Sequence, residues 1–143
     1  MAHSVLLTGG AGFIGSHTAV ELLQAGYDVV IADDLSNCTE DVVTRIGRIT
    51  GRAPAFHQVD VADRAALEEV FEQYDFEAVI HFAGFKAVGE SVKEPLKYYR
   101  NNLDTTLTLL ETMAYHHVNT IVFSSSATVY GVPETVPLTE DMP

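Results

Sequence analysis

The sequence predicts an α/β protein built on a doubly wound parallel sheet, and three observations carry that reading. Short apolar runs of strand length alternate with stretches of helical periodicity. A cluster of glycines follows the first of those runs directly. The 143 residues, 47% of them hydrophobic, suffice to bury one sizeable core, so one domain is the default. Right-handed crossovers between about five parallel strands give an expected order of 3-2-1-4-5, with a ligand crevice at the carboxyl ends of the strands.

Taken in order, the first strand is expected over 5–7 and the first helix over 13–25, with Ile14, Ala19, Leu22 and Leu23 on its buried side and Gly26 as its stop. Asp28 leads into a second strand over 29–31, and a third follows over 55–59. A helix near 64–74 places Leu67, Val70 and Phe71 at helical spacing behind Asp63, a natural N-cap. The fourth strand is expected over 78–81. A longer helix after Pro95 turns Leu103, Leu107, Leu110 and Met113 towards the sheet, ahead of a fifth strand over 121–123. From Val132 onward, Pro133, Pro137 and Pro143 mark loop.

Charge and composition exclude several classes. A net charge of -12 with only eight Lys and Arg disfavours nucleic acid, which needs clustered cations. A small anionic cofactor remains compatible, because backbone N–H groups at a helix N-terminus supply local positive field. Cys38 is the sole cysteine, so no internal disulfide forms, and a reducing, cytoplasmic setting is expected. The first apolar run breaks at Gly9-Gly10 with no basic region before it, so neither a signal peptide nor a membrane span is expected. No metal site is expected either. His116-His117 read as cations suited to a helix C-terminus, and His17 and His81 as packing residues.

The chemistry-bearing motif is Thr8-Gly9-Gly10-Ala11-Gly12-Phe13-Ile14-Gly15, between the first strand and the first helix. Its position is that of a dinucleotide fingerprint, in which glycines permit the tight turn, the approach of a pyrophosphate and close helix–strand packing. Two registers fit, Gly10/Gly12/Gly15 and Gly9/Gly12/Gly15. Asp33 closes the second strand about 20 residues on, where a carboxylate accepts hydrogen bonds from an adenosine ribose and repels a 2′-phosphate. No Arg or Lys follows in Asp34-Leu35-Ser36-Asn37, which favours NAD over NADP. The competing readings are a glycine turn without a ligand and a turn aspartate.

Three segments together resemble the UDP-galactose 4-epimerases of the extended short-chain dehydrogenase/reductase family: residues 8–17, then His81-Phe82-Ala83-Gly84-Phe85-Lys86-Ala87-Val88-Gly89-Glu90-Ser91, and Phe123-Ser124-Ser125-Ser126-Ala127-Thr128-Val129-Tyr130-Gly131. The resemblance spans essentially the whole chain and implies a Rossmann domain with NAD. It places Gly9, Gly12, Phe13, Ile14 and Gly15 at the pyrophosphate, Asp33, Asp34, Leu35, Ser36 and Asn37 at the adenosine side, and Asp60 and Val61 at the adenine. Phe82, Ala83, Gly84, Lys86, Asn101 and Ser124 complete the cofactor site. Ser126 is expected to meet the 4-hydroxyl of a UDP-hexose, with Ala127 and Thr128 beside it, since a hydroxyl both donates and accepts. The bland alternative is a set of polar residues ending a strand.

The implied reaction is epimerisation through a 4-keto sugar. A tyrosine takes the 4-hydroxyl proton while C4 gives hydride to NAD, which returns it to the other face. Nucleotide-sugar dehydratases need an added acid and base, and Ser124-Ser125-Ser126 offers no carboxylate. A non-catalytic NAD-binding module is the rival from another class. The tyrosine belongs to a Tyr-x-x-x-Lys motif, in which the lysine cation lowers the phenol's pKa. No tyrosine of this chain has a lysine four residues on. The resemblance therefore implies an NAD-binding domain over 1–143, with the motif, the later strands and the substrate domain beyond it. The isolated chain is expected to be inactive, to have an unprotected strand over 121–125, and to belong to a protein that forms homodimers through helices.

Overall fold

The computed structural model describes residues 4–132 and 135–142, apart from the side chain of Ala127. Five strands, β1 (Ser4–Thr8), β2 (Asp28–Asp33), β3 (Ala55–Gln58), β4 (Phe76–His81) and β5 (Ile121–Phe123), form one sheet in the order β3-β2-β1-β4-β5. Every pair is parallel, and β1 sits at the centre, with Leu6 opposite Val30 on one side and Val79 on the other. The expected order stands. A central parallel strand is covered on both faces, which is why β1 reads as an unbroken apolar run.

Alternation along the strands divides the interior in two. Leu6, Val30 and Val79 face α3 (Arg64–Gln73) and α5 (Pro95–Tyr115), where Leu67, Val70, Phe71, Leu109 and Met113 close one core. Val5, Leu7, Val29 and Ile31 face α1 (Phe13–Gln24) and α2 (Asp41–Thr50), through Ala19, Leu23 and Ile46. The Asp63 carboxylate accepts hydrogen bonds from the Ala65 and Ala66 N–H groups, the N-cap its position suggests.

Several side chains face otherwise than expected. Ile14 is exposed because the first turn of α1 opens onto a crevice rather than the core, and Leu22 is half-buried. On α5, Leu103, Leu107 and Leu110 point to solvent, while Tyr98, Thr105, Leu109, Thr112 and Met113 are buried. Threonines occupy the inner face because each hydroxyl donates back to its own helix: Thr105 to the Asn101 carbonyl at 2.8 Å and Thr112 to that of Thr108 at 2.9 Å. The outer face carries a stripe of Leu96, Tyr99, Leu103, Leu107 and Leu110. His17 is exposed and meets the edge of Phe13 instead of packing inside. Among the described residues three elements lie outside the expected set: α2, the short α4 (Val88–Lys93) and a 3₁₀ turn (Ala127–Tyr130). No residue of α4 is buried, so it has no apolar face to announce it, whereas α2 has an apolar face of Val42 and Ile46 that its ten residues carry between polar neighbours.

Candidate functional site

The carboxyl ends of β1, β2 and β4 and the loop after β3 converge on a cavity of about 540 Å³. It opens where the connections leaving the adjacent strands β1 and β4 run in opposite directions, to β2 and to β5, the place a doubly wound sheet leaves a crevice.

Its floor is the glycine turn. Gly9 has φ +67°, and a Cβ there would stand 2.7 Å from the Ala83 nitrogen, while one on Gly15 would stand 2.6 Å from the Gly9 carbonyl oxygen. Gly9, Gly12 and Gly15 all line the cavity. Gly10 faces away, and a Cβ there would meet Leu7 and Ile31 in the core. The cavity-lining register is thus Gly9/Gly12/Gly15, and Gly10 serves packing. Phe13 and Ile14, in the first turn of α1, also line the cavity. That helix start has no side-chain cap and no acidic residue in its first turn, so the N–H groups of that turn have no side-chain partner from the helix itself.

Asp33 stands at the tip of β2, buried, and lines the cavity. Its Oδ2 accepts the Ala11 N–H at 3.0 Å, and its Oδ1 accepts the Leu35 N–H at 3.0 Å and the Cys38 thiol at 3.3 Å. One carboxylate therefore ties the glycine turn to the loop after β2. Burial, and then the charge of Asp33, push the Cys38 thiol up to about 12, so it stays protonated at neutral pH. Asp34, Ser36 and Asn37 reach the cavity, and Leu35 does not. The Leu35 side chain packs onto the α1–α2 core instead.

Asp60 and Val61 supply the wall after β3, and every residue from 82 to 87 lines the opposite side, with Asn101 from α5. His81, just before that run, is buried. Its Nδ1 lies 2.6 Å from the Thr8 hydroxyl and its Nε2 3.2 Å from that of Thr106. Thr106 donates its own proton to the Asn102 carbonyl, so it accepts from Nε2–H, and Thr8 donates to Nδ1. Burial, helped by the Lys86 charge, pushes this imidazole down to about 4, consistent with a neutral packing residue.

Among the cavity residues that the sequence reading did not assign to the site are Phe85, Glu90, Lys97 and Tyr98. The Glu90 carboxylate accepts the Lys97 ammonium at 2.7 Å and the Tyr98 hydroxyl at 2.7 Å. Those two bonds hold Glu90 below the usual carboxylate range and raise both partners. Lys97 also lies 5.2 Å from the centre of the Phe85 ring. Their spacing carries no signal without the break between α4 and α5.

Ser124, Ser126 and Thr128 do not line the cavity. The Ser124 N–H donates to the His81 carbonyl at 3.1 Å, extending β5. The exposed Ser126 and Thr128 hydroxyls are 2.6 Å apart, and Ser126 Oγ accepts the Thr128 N–H, so they cap a 3₁₀ turn beyond β5. The expected role of the Ala127 side chain lies outside the described residues. Among the described residues no three His, Cys, Asp or Glu side chains gather to hold a metal ion, and no helix is long and apolar enough to cross a membrane.

Comparison with known proteins adds relatives to this geometry. A family model for the NAD dependent epimerase/dehydratase family matches residues 5–143. The UDP-glucose 4-epimerase of Bacillus subtilis is 58% identical over 140 residues, 98% of this chain and 41% of that protein. That of Dictyostelium discoideum is 58% identical over 97% of this chain and 40% of its own length. The crystal structure of the Bifidobacterium longum UDP-glucose 4-epimerase in complex with NAD+ and UDP superposes with a TM-score of 0.94 at 51% identity, over 98% of this chain and 42% of that one. A second, from Stenotrophomonas maltophila with bound NAD and formylated UDP-arabinopyranose, gives 0.92 at 50% identity over 97% and 41%. The chain spans about two fifths of the length of these relatives.

Proposed function

The chain belongs to the NAD dependent epimerase/dehydratase family, and on that premise we propose that residues 1–143 form the NAD-binding part of a UDP-glucose 4-epimerase. The observation that carries this reading is the cavity floor, where a helix N-terminus without a cap and three glycines leave room for an anion against bare backbone. A pyrophosphate needs N–H donors and a close approach, and Gly9, Gly12, Phe13, Ile14 and Gly15 offer both. Asp33, already fixed by Ala11 and Leu35, keeps lone pairs to accept from ribose hydroxyls. Its charge opposes a 2′-phosphate, and residues 34–37 carry no cation, so NAD is favoured over NADP. Asp34, Ser36 and Asn37 complete the adenosine side, and Asp60 and Val61 the adenine pocket. Phe82, Ala83, Gly84, Lys86 and Asn101 form the other wall, with Ser124 behind it.

When bound, NAD supplies the hydride acceptor and donor that epimerisation at a hexose C4 requires. The chain's own part is to bind, orient and exclude water. Ser126, with Thr128 beside it, is assigned to the sugar hydroxyl because an exposed hydroxyl can donate and accept in turn. Proton removal is assigned to a Tyr-x-x-x-Lys pair that these 143 residues do not contain. The isolated chain is therefore expected to bind NAD and to leave UDP-galactose unchanged. The outer stripe of α5 supports a homodimer of the whole enzyme.

The test is to denature the purified chain and assay released NAD, then measure UDP-galactose conversion. Near-stoichiometric NAD, or tight binding of added NAD, with no conversion supports the assignment. A chain that neither contains nor binds NAD overturns it, and conversion by the pure chain overturns the assignment of the base.

A further inference from the structure

The wall from 82 to 87 is loop, yet every residue of it lines the cavity, so something must hold it. The Phe82 N–H donates to the Thr8 carbonyl at 2.9 Å and anchors its start. Its middle is held by Asn102, which does not line the cavity. Asn102 Oδ1 accepts the Phe85 N–H at 2.7 Å, and Asn102 Nδ2 donates to the Phe85 carbonyl at 3.0 Å. Both peptide groups flanking the Phe85 Cα are thereby fixed by one amide. An aspartate supplies only the acceptor and a lysine only the donor, so the pairing asks for a carboxamide.

The clamp is itself constrained. Oδ1 also accepts from Asn101 Nδ2 at 3.0 Å, which ties the cavity-lining Asn101 to the same point. Gly84 has φ +152°, and a Cβ there would stand 3.2 Å from Asn102 Oδ1, so the chain passes against the amide where only glycine fits comfortably. The Asn102 carbonyl accepts the Thr106 hydroxyl, which meets His81 Nε2 at the tip of β4. That carbonyl belongs to the backbone, so the turn of α5 that carries the amide is the part linked to the sheet.

Lys86 follows Phe85 directly and lines the cavity, and it enters none of the ion pairs formed among the described residues. We propose that Asn102 is a positioning residue: its amide, bonded to both sides of Phe85, aims the Lys86 ammonium at the phosphates of the bound dinucleotide. This rests on the NAD reading and adds the residue that makes a loop lysine a fixed cation. A tethered cation contributes to binding without paying the ordering entropy that a free loop would incur.

The experiment measures NAD and AMP binding by the chain and by Asn102→Ala, Lys86→Met and the double variant, with circular dichroism to check folding. Asn102→Ala is expected to weaken NAD about tenfold, the loss of one charge-assisted contact, and AMP by less than about twofold. The double variant should bind NAD no worse than Lys86→Met alone, because the two act on one contact. Asn102→Asp, close in shape, keeps the acceptor, loses the donor, and should show a similar NAD-selective loss if the alanine variant fails to fold. Unchanged NAD affinity, equal losses for NAD and AMP, or full additivity with Lys86→Met overturns the proposal. A wild-type chain that binds AMP but not NAD overturns it while sparing the adenosine site, and one that binds neither overturns the NAD reading as well.

Discussion

His81 is a buried base whose protonation should be legible as a loss of stability. Its folded pKa of about 4 lies below the usual 6.5, so the unfolded chain binds its proton first as pH falls. The stability of the neutral form is complete above about pH 6.5 and declines as pH drops towards 4, where the loss levels off. With about 1.4 kcal/mol per pH unit, this one group removes about 2–3 kcal/mol between pH 7.5 and 4.5. His81→Phe isolates the effect. At pH 7.5 it should cost about 1–3 kcal/mol, because the fully buried Thr8 hydroxyl loses its acceptor. Between pH 7.5 and 4.5 it should lose less stability than the parent, by about 2 kcal/mol, since carboxylate titrations are common to both chains. Urea unfolding at the two pH values, followed by circular dichroism, reads the difference. Parallel pH dependence in the two chains would refute the neutral, buried imidazole.

Three further outcomes are expected. Gly15→Ala sets a Cβ against the Gly9 carbonyl at 2.6 Å, so the turn must shift and NAD affinity, followed by equilibrium dialysis, should fall at least tenfold. Asp33→Asn should narrow the preference for NAD over NADP and, by removing the charge beside Cys38, speed alkylation of that thiol by iodoacetamide at pH 8; an unchanged alkylation rate would break the link between the two. Leu103→Glu and Leu107→Glu, both on the exposed stripe of α5, should leave the melting temperature within a few degrees while lowering the association state in sedimentation, whereas Leu109→Glu, at a fully buried position, should abolish folding.

What the sequence made legible follows from where burial is complete. The central strands β1 and β2, covered on both faces, leave no ambiguity, and the edge strands β3 and β5 were readable as apolar runs near their observed bounds although they are only partly covered. Asp63 was readable as a cap because its chemistry is local. The inner face of α5 was not, because the rule that leucine is buried and threonine exposed fails once a threonine hydroxyl can bond its own helix. The glycine turn was legible as a motif but not in register. Gly9 and Gly10 are both sterically required, and only tertiary packing shows that one faces the cavity and the other faces Leu7. The direction of the Leu35 side chain was not legible for a related reason: it lies two residues after Asp33 in sequence, yet at a φ of 60° its side chain packs on the core.

The same division explains which part of the site is self-supporting. From Gly9 to Asn101 the cavity is built by backbone and by side chains whose partners are all within this sheet and its helices: Asp33 with Ala11, Asn102 with Phe85, Glu90 with Tyr98. Each is set by contacts that exist before a ligand arrives, so binding meets a preorganised surface. Ser126 and Thr128 differ, since they satisfy one another at the exposed end of β5, whose Val122 and Phe123 are also exposed. A hydroxyl already paired with its neighbour gains little by turning to a sugar unless its surroundings are rebuilt around it. Cofactor retention and sugar recognition should therefore separate in this chain. It should hold NAD with UDP-glucose binding too weak to detect by calorimetry, and measurable UDP-glucose affinity would show that the hydroxyls beyond β5 are as preorganised as the glycine turn.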